Sequence, residues 1–256
     1  MISKMVGIAS LILASVLVLG SATWAQPARP AGACSNGTLN GHSGFVVTGT
    51  DASGPTAASG QITADGKGGF AGMETVSSDG TITADVPVTG TYTIHANCTG
   101  KGTITPKGGP TAHFSFAVVS GGTELELVVT DSDATESGSA QAEGSATCTT
   151  KGVQGTYGLQ GGGTLVGLGP IAFSGQVKLQ QGVISGTESG SVNGQIFNGA
   201  KVGGAAKIGT NCFGKAVVSV NHQSPLHLDL VVVNGGNEIV FIETDIGTVV
   251  SGSLQR

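Results

Sequence analysis

The spacing of four cysteines constrains this chain more than any other feature. Cys34 and Cys98 stand 64 residues apart, and so do Cys148 and Cys212, with an offset of 114 between corresponding members. The same offset carries Gly41, Gly44 and Gly49 onto Gly155, Gly158 and Gly163. It also carries Glu74 onto Glu188, Asn97 onto Asn211, His113 onto His227, Glu124 onto Glu238, and Asp131 onto Asp245. The register slips by one residue around Ser59-Gly60-Gln61 and Ser174-Gly175-Gln176 and then recovers. Self-similarity at a fixed period marks a tandem duplication, so each copy must close its own core within roughly 110 residues.

Four cysteines can pair in three ways. The duplication favours Cys34–Cys98 and Cys148–Cys212, one bridge inside each copy, each stabilising its copy by roughly 2–4 kcal/mol. A metal site is the rival use of cysteine. No CxxC occurs and no His lies at ligand spacing from a Cys, so no metal is expected. Bridges of this kind form in an oxidising compartment, and the N-terminus agrees with one. Lys4 precedes an apolar run over residues 6–20, and Thr23-Trp24-Ala25 follows, which is the pattern of a secretory signal cleaved after Ala25. The run is short for a membrane span of ~20 residues. Lipidation at Cys34 is disfavoured, because Ala31 stands where a lipobox has Leu and the apolar run ends well upstream. The expected organisation is a signal at 1–25, a first repeat at 26–146 and a second at 147–256. The mature chain, with no transmembrane segment, is expected to be secreted or periplasmic.

After the signal no helical periodicity is found. Runs rich in Val, Ile and Thr alternate with Gly, Asp-Gly and Asn-Gly about every ten residues, as in antiparallel sandwiches and barrels. Asp65-Gly66, Asp79-Gly80 and Asn193-Gly194 are hairpin signals, since Asp and Asn tolerate the positive φ of type I′ turns. The segment 113–130, read with a two-residue turn at Gly121-Gly122, pairs Phe116 with Leu127 and Val118 with Leu125. This places Phe114, Phe116, Val118, Leu125, Leu127 and Val129 on one face, and His113, Ser115, Glu124, Glu126 and Thr130 on the other. In the second copy Leu228, Leu230, Val232, Ile239 and Phe241 repeat the apolar face. Each copy yields seven to nine strands, mostly of six to nine residues. A sheet that small must close or stack to hide its edges. The fold class is therefore all-β: two tandem small antiparallel β-barrels or barrel-like sandwiches. The 45 glycines fit strand bends and close backbone contacts. With eight Phe, two Tyr and one Trp, packing falls mainly to small and β-branched side chains.

Charge excludes some functions. Charged residues make up 11% and the net charge is −5, with no basic patch, so nucleic acid is not a partner. No HExxH, G-x-S-x-G or phosphate-loop context occurs, and no cofactor is expected. His113 and His227 match between copies but fall on the polar face. His42, His95 and His222 have no counterpart. Asp131, Asp133 and Glu136 faintly suggest a calcium loop, which the second copy lacks. Glu74 alternates onto the face of Phe70 and Val76, Glu188 onto that of Ile184, and Glu243 onto that of Phe241. An inward carboxyl has a raised pKa unless hydrogen-bonded, which makes Glu74 and Glu188 the candidate catalytic residues. The competing account is a structural hydrogen bond, or a bulge that turns the side chain outward.

The strings GTYTIHANCTGKGTIT (90–105) and GGAAKIGTNCFGKAVVSV (203–220) resemble a pattern of secreted, glycine-rich, uncharacterised bacterial tandem-repeat proteins, in which G-T-Y and C-x-G flank adjacent strands. Ala205 and Ala206 replace the Thr91-Tyr92 pair in the second copy. The units are also similar in size and strand count to calycin and allene-oxide-cyclase barrels, a likeness of fold that transfers no residues. The absence of a catalytic set points to a secreted non-enzymatic protein with a structural, adhesive or small-hydrophobic-ligand-binding role, its partner a small apolar ligand or a cell surface. Two alternatives are an isomerase- or cyclase-type enzyme using an interior carboxylate, and an outer-membrane barrel. The strands are short for the latter, and aromatic girdles cannot be built from so few rings.

Overall fold

The computed structural model describes residues 33–144 and 148–256. The expected signal at 1–25 and the repeat boundary near 146 lie outside the described residues. The chain forms two closed antiparallel barrels of eight strands each. The first comprises β1 (Asn40–Asp51), β2 (Gly54–Asp65), β3 (Gly69–Ser78), β4 (Thr81–Ile94), β5 (Thr99–Pro106), β6 (Ala112–Val119), β7 (Glu124–Val129) and β8 (Thr135–Ala142). The second comprises β9 (Gly155–Leu165), β10 (Gly169–Gln180), β11 (Val183–Val192), β12 (Gln195–Ile208), β13 (Phe213–Val220), β14 (Leu226–Val233), β15 (Glu238–Glu243) and β16 (Thr248–Gln255). Strands follow one another around each barrel, and β1–β8 and β16–β9 pairing closes the circles. Closure leaves no sheet edge for another chain to extend.

The strands are longer than the sequence suggested, reaching 14 residues in β4 and β12. Glycine and polar residues, read as breaks, instead continue the ladder wherever neighbouring strands satisfy their backbone groups. Gly100 and Gly102 show why glycine is needed inside strands. A methyl group there would stand 2.3 Å from the Phe116 ring and 2.4 Å from the Phe114 ring, so each ring lies flat across a glycine of β5. Asp79-Gly80 and Asn193-Gly194 are two-residue turns with both φ values positive, the type I′ signature. Gln181-Gly182 makes a third such turn without Asn or Asp. Asp65-Gly66 differs from expectation. Here the connection is three residues long, and the Asp65 carboxylate accepts the N–H groups of Lys67, Gly68 and Gly69. The β6–β7 hairpin pairs Phe116 with Leu127 and Val118 with Leu125. Its connection, Ser120 to Thr123, is built on a 3-10 turn rather than on Gly121-Gly122 alone.

Each barrel is plugged at one end by the segment that precedes its first strand. Cys34 is bonded to Cys98 and Cys148 to Cys212. The Tyr92 hydroxyl lies 2.8 Å from the Leu39 carbonyl, and the Tyr157 hydroxyl 2.8 Å from that of Val153. Cys148 and Val153 are part of the second core, and Cys34 and Leu39 pack on the first. Running every strand from the plug places the connections 51–54, 78–81, 106–112 and 129–135 at the opposite end of the first barrel. In the second barrel 165–169, 192–195, 220–226 and 243–248 lie there.

The two barrels pack side by side, β1–β3 against β14–β16. Val231, Val233 and Val240 point out of the second barrel onto Val46, while Ile242 and Val249 meet Ala57. Gly44 makes room for this contact, since a methyl there would fall 2.6 Å from Val231 and Val233. Strands β14 and β15 are thus buried on both faces, which explains their unbroken apolar runs. Polar links complete the seam. Gly247 N–H donates to the Gly80 carbonyl at 2.8 Å, Ser77 donates to the Thr248 carbonyl, and Gln61 donates to Glu143 and to the Asn211 carbonyl. The open ends of the barrels therefore lie on the same side of the molecule.

Among the described residues no helix is long and apolar enough to cross a membrane. The barrel interiors are apolar, the reverse of the polar lumen of an outer-membrane barrel.

Candidate active site

The candidate carboxyls sit at one level of each barrel, on register-matched rows. In the first barrel Phe45 pairs with Gly60, Gly60 with Glu74, and Glu74 with Val86. In the second, Leu159 pairs with Gly175, Gly175 with Glu188, and Glu188 with Ala200. Residues directly opposite on neighbouring strands share a face, so Glu74 and Glu188 share the inward face of Phe45 and Leu159. A β-bulge follows each glutamate, between Glu74 and Val76 and between Glu188 and Gly190. The bulge does not expose either carboxyl: Glu74 is 5% and Glu188 8% accessible. In both copies a glycine stands across from the glutamate, where a methyl group would fall within 3 Å of the glutamate Cα.

The second barrel holds a cavity of about 400 Å³. Its floor is aliphatic, with Leu159, Leu179, Ile184 and Ile239, and Phe173 and Phe197 line it nearer the open end. Glu188 faces it at mid-height. Glu243, at the end of β15, faces it close to the mouth. Among the described residues no Lys, Arg or His lines the cavity. Burial without a cationic partner raises both pKa values. That of Glu243 is pushed up to about 7, mainly by burial and further by the charge of Asp245, with the Thr248 hydroxyl partly offsetting this. Burial alone raises Glu188. Glu74 is likewise held at about 7 by burial, but among the aromatic packing of the first barrel.

The other sequence candidates take structural roles. The His113 backbone N–H and Nδ1 both face Asp131, at 2.7 and 2.8 Å, and His227 repeats this with Asp245 at 2.6 and 2.8 Å. Both rings are more than half exposed on the outer face. Asp131 is thus committed to a histidine, not to a calcium loop. Among the described residues the single close cluster of ligand types is Glu143 with Cys148 and Cys212, whose sulfurs are bonded to each other and offer no thiolate.

Sequence reasoning placed Glu243 third and did not foresee that it shares a cavity with Glu188. The scarcity of aromatic residues does not close the interior, since the cavity wall is mostly aliphatic. One signal was present. Phe45, Phe70, Phe114 and Phe116 of the first barrel correspond, at the 114-residue offset, to Leu159, Ile184, Leu228 and Leu230 of the second. The second barrel is thus relieved of rings at those positions.

The sequence matches no family model and no curated protein. Among solved structures it is similar to CghA with Sch210972, at 10% identity over 84% of this chain and 88% of that one, with a TM-score of 0.28. It is also similar to kievitone hydratase from Nectria haematococca, at 6% identity over 86% and 90% of the two chains, again with a TM-score of 0.28. Likeness this slight brings across no residue and no substrate. The expectation of a non-enzymatic structural, adhesive or small-hydrophobic-ligand-binding module is corrected by the second barrel itself, where Glu188 and Glu243 face one largely apolar cavity.

Proposed function

We propose that the second barrel is an acid–base catalyst acting on a small, neutral, predominantly apolar compound, an enzyme of the isomerase or cyclase kind. The observation that supports this most is that Glu188 and Glu243 face one apolar cavity with no cation among the described residues that line it. Such an interior disfavours anionic substrates, which would meet buried carboxyls without compensation. A carboxyl with a pKa near 7 is suited to giving and taking protons at neutral pH. One protonated carboxyl donates to a substrate oxygen while the other, ionised, removes a proton from carbon. Return of a proton to a different carbon shifts a double bond or triggers ring closure. The atoms balance without cofactor or co-substrate. We assign the first barrel a supporting role, and we place the protein outside the cytoplasm, with 1–25 as its export signal. The two disulfides support that placement.

The test uses the full mature chain. Native mass spectrometry identifies any apolar compound that co-purifies, and incubation of that compound with the protein in D2O is followed by mass. Protein-dependent deuterium at a carbon position, lost in Glu188→Gln and in Glu243→Gln, is the expected result. Uptake that survives both substitutions overturns the reading. So does failure of the neutral fluorophore N-phenyl-1-naphthylamine to bind the cavity.

A further inference from the structure

The rim of the second barrel's mouth carries large apolar side chains that are mostly exposed. Leu168 in the β9–β10 connection is 65% exposed, Ile196 at the start of β12 is 69%, and Ile246 in the β15–β16 connection is 90%. Val166, beside Leu168, is also exposed. These residues come from two connections and the start of a strand, yet all lie at the open end. The first copy is less apolar there: its β1–β2 turn is Ala52-Ser53 and Ser132 stands where the second copy has Ile246, while Ile82, the counterpart of Ile196, is only partly exposed. Scattered exposed apolar residues are ordinary; a set grouped around one opening marks a contact surface.

Charge selects the occupant. The connections 166–168, 193–194 and 244–247, which hold or adjoin the four apolar residues, contain one ionisable residue, Asp245, and its carboxylate already faces the N–H and ring of His227. At the same end the first barrel presents Asp51, Asp79 and Asp133 and one cation, Lys107. This side of the molecule is therefore apolar in one half and net negative in the other. An acidic surface is repelled, and an uncharged or zwitterionic one is not.

We propose that the mouth of the second barrel docks on a zwitterionic lipid surface, inserting Leu168, Ile196 and Ile246, and takes its substrate directly from that apolar phase. The cavity then opens into the lipid rather than into water, and a poorly soluble compound never has to cross the aqueous phase. This rests on the reading of the cavity as a substrate site.

Flotation with phosphatidylcholine vesicles, and with vesicles in which half the lipid is phosphatidylglycerol, tests the proposal. The mature protein is expected to float with the first and, at low salt, several-fold less with the second. The triple variant L168S/I196S/I246S should lose about tenfold or more of its partitioning, three partly buried aliphatic groups being worth at least that. Ile246→Ser alone, at a position 90% exposed, should lose part of it without touching the fold. N-phenyl-1-naphthylamine titration in vesicle-free buffer separates the two ideas. If the variants bind the fluorophore normally but no longer float, docking is separable from the cavity. If the wild type floats with neither vesicle, if the triple variant floats as well as the wild type, or if anionic vesicles are preferred, docking is wrong while the cavity reading stands. If the wild type does not bind the fluorophore, the cavity reading itself fails.

Discussion

Asp229 of the second barrel and Thr75 of the first share a buried hydrogen bond of 2.8 Å, donated by the threonine hydroxyl across the seam between the barrels. The Lys215 ammonium holds the other carboxylate oxygen, also at 2.8 Å, and reaches towards Asp85 of the first barrel at 3.6 Å. The counterpart of Asp229 in the first copy is Ser115, so the duplication did not supply this link; it belongs to the seam. Asp229→Ala strands a buried hydroxyl and removes the anchor of Lys215. A loss of about 2 kcal/mol is expected in chemical denaturation. Thr75→Val should cost less, since Lys215 still satisfies the carboxylate.

Val240 faces the first barrel where the first copy has Glu126. Val240→Glu restores the first-copy residue and puts an unpaired carboxylate into an apolar contact with Val231, Val233 and Val46. This should weaken the seam by about 3 kcal/mol or more. Limited proteolysis should then find cleavage between the barrels, and small-angle scattering a larger radius of gyration. An unchanged radius and proteolytic pattern would mean the barrels adhere by other contacts.

The alternation of apolar and polar residues was enough to show strands, faces and the pairing of β6 with β7. It was not enough to show the seam. The inward residues of LHLDLVVV and EIVFIE show the core face, but their outward positions Val231, Val233, Val240 and Ile242 are all apolar too, whereas the counterparts Ala117, Val119, Glu126 and Val128 in the first copy include a charge. An unbroken apolar run says that both faces of a strand are covered, but not by what. The cavity was hidden for another reason. The row Glu188–Gly175–Leu159 depends on register across three strands, and the one-residue slip near Ser174 obscured which glycine lies opposite the glutamate. Strand ends were misjudged because glycine was read as a break in segments where closure of the barrel keeps the ladder intact.

Burial holds the Glu74 carboxyl at about 7, against an ordinary value of 4.5. The folded protein keeps a proton there that the unfolded chain has already released. The stability this confers is whole below pH 4.5 and is lost as the pH rises through 7, about 3 kcal/mol in all. Glu74→Gln carries no titrating group. Its stability relative to wild type should therefore climb across that window, as read by urea melts at several pH values. A constant difference between the two proteins would show that Glu74 is not a buried acid.

Each disulfide spans 64 residues. Loop-closure entropy gives about 4 kcal/mol for a loop of that length, on a model that neglects residual structure in the unfolded chain. Replacing Cys148 and Cys212 by Ser should lower the melting temperature and loosen the plug formed with Val153, so that N-phenyl-1-naphthylamine exchanges faster from the cavity. The Cys34/Cys98 double substitution should lower the melting temperature without changing that exchange rate.

The burial of β14 and β15 on both faces also orders events in time. Wherever the chain emerges from its N-terminal end, the whole first barrel, closed by β8 at Ala142, comes out before β14 does. The outward valines of β14 and β15 are thus born beside a finished wall containing Gly44 and Ala57, which can receive them at once. With the copies in the opposite order, the same apolar strip would wait, uncovered, for a partner still being synthesised. The newborn chain would then be exposed to aggregation for as long as one barrel takes to translate.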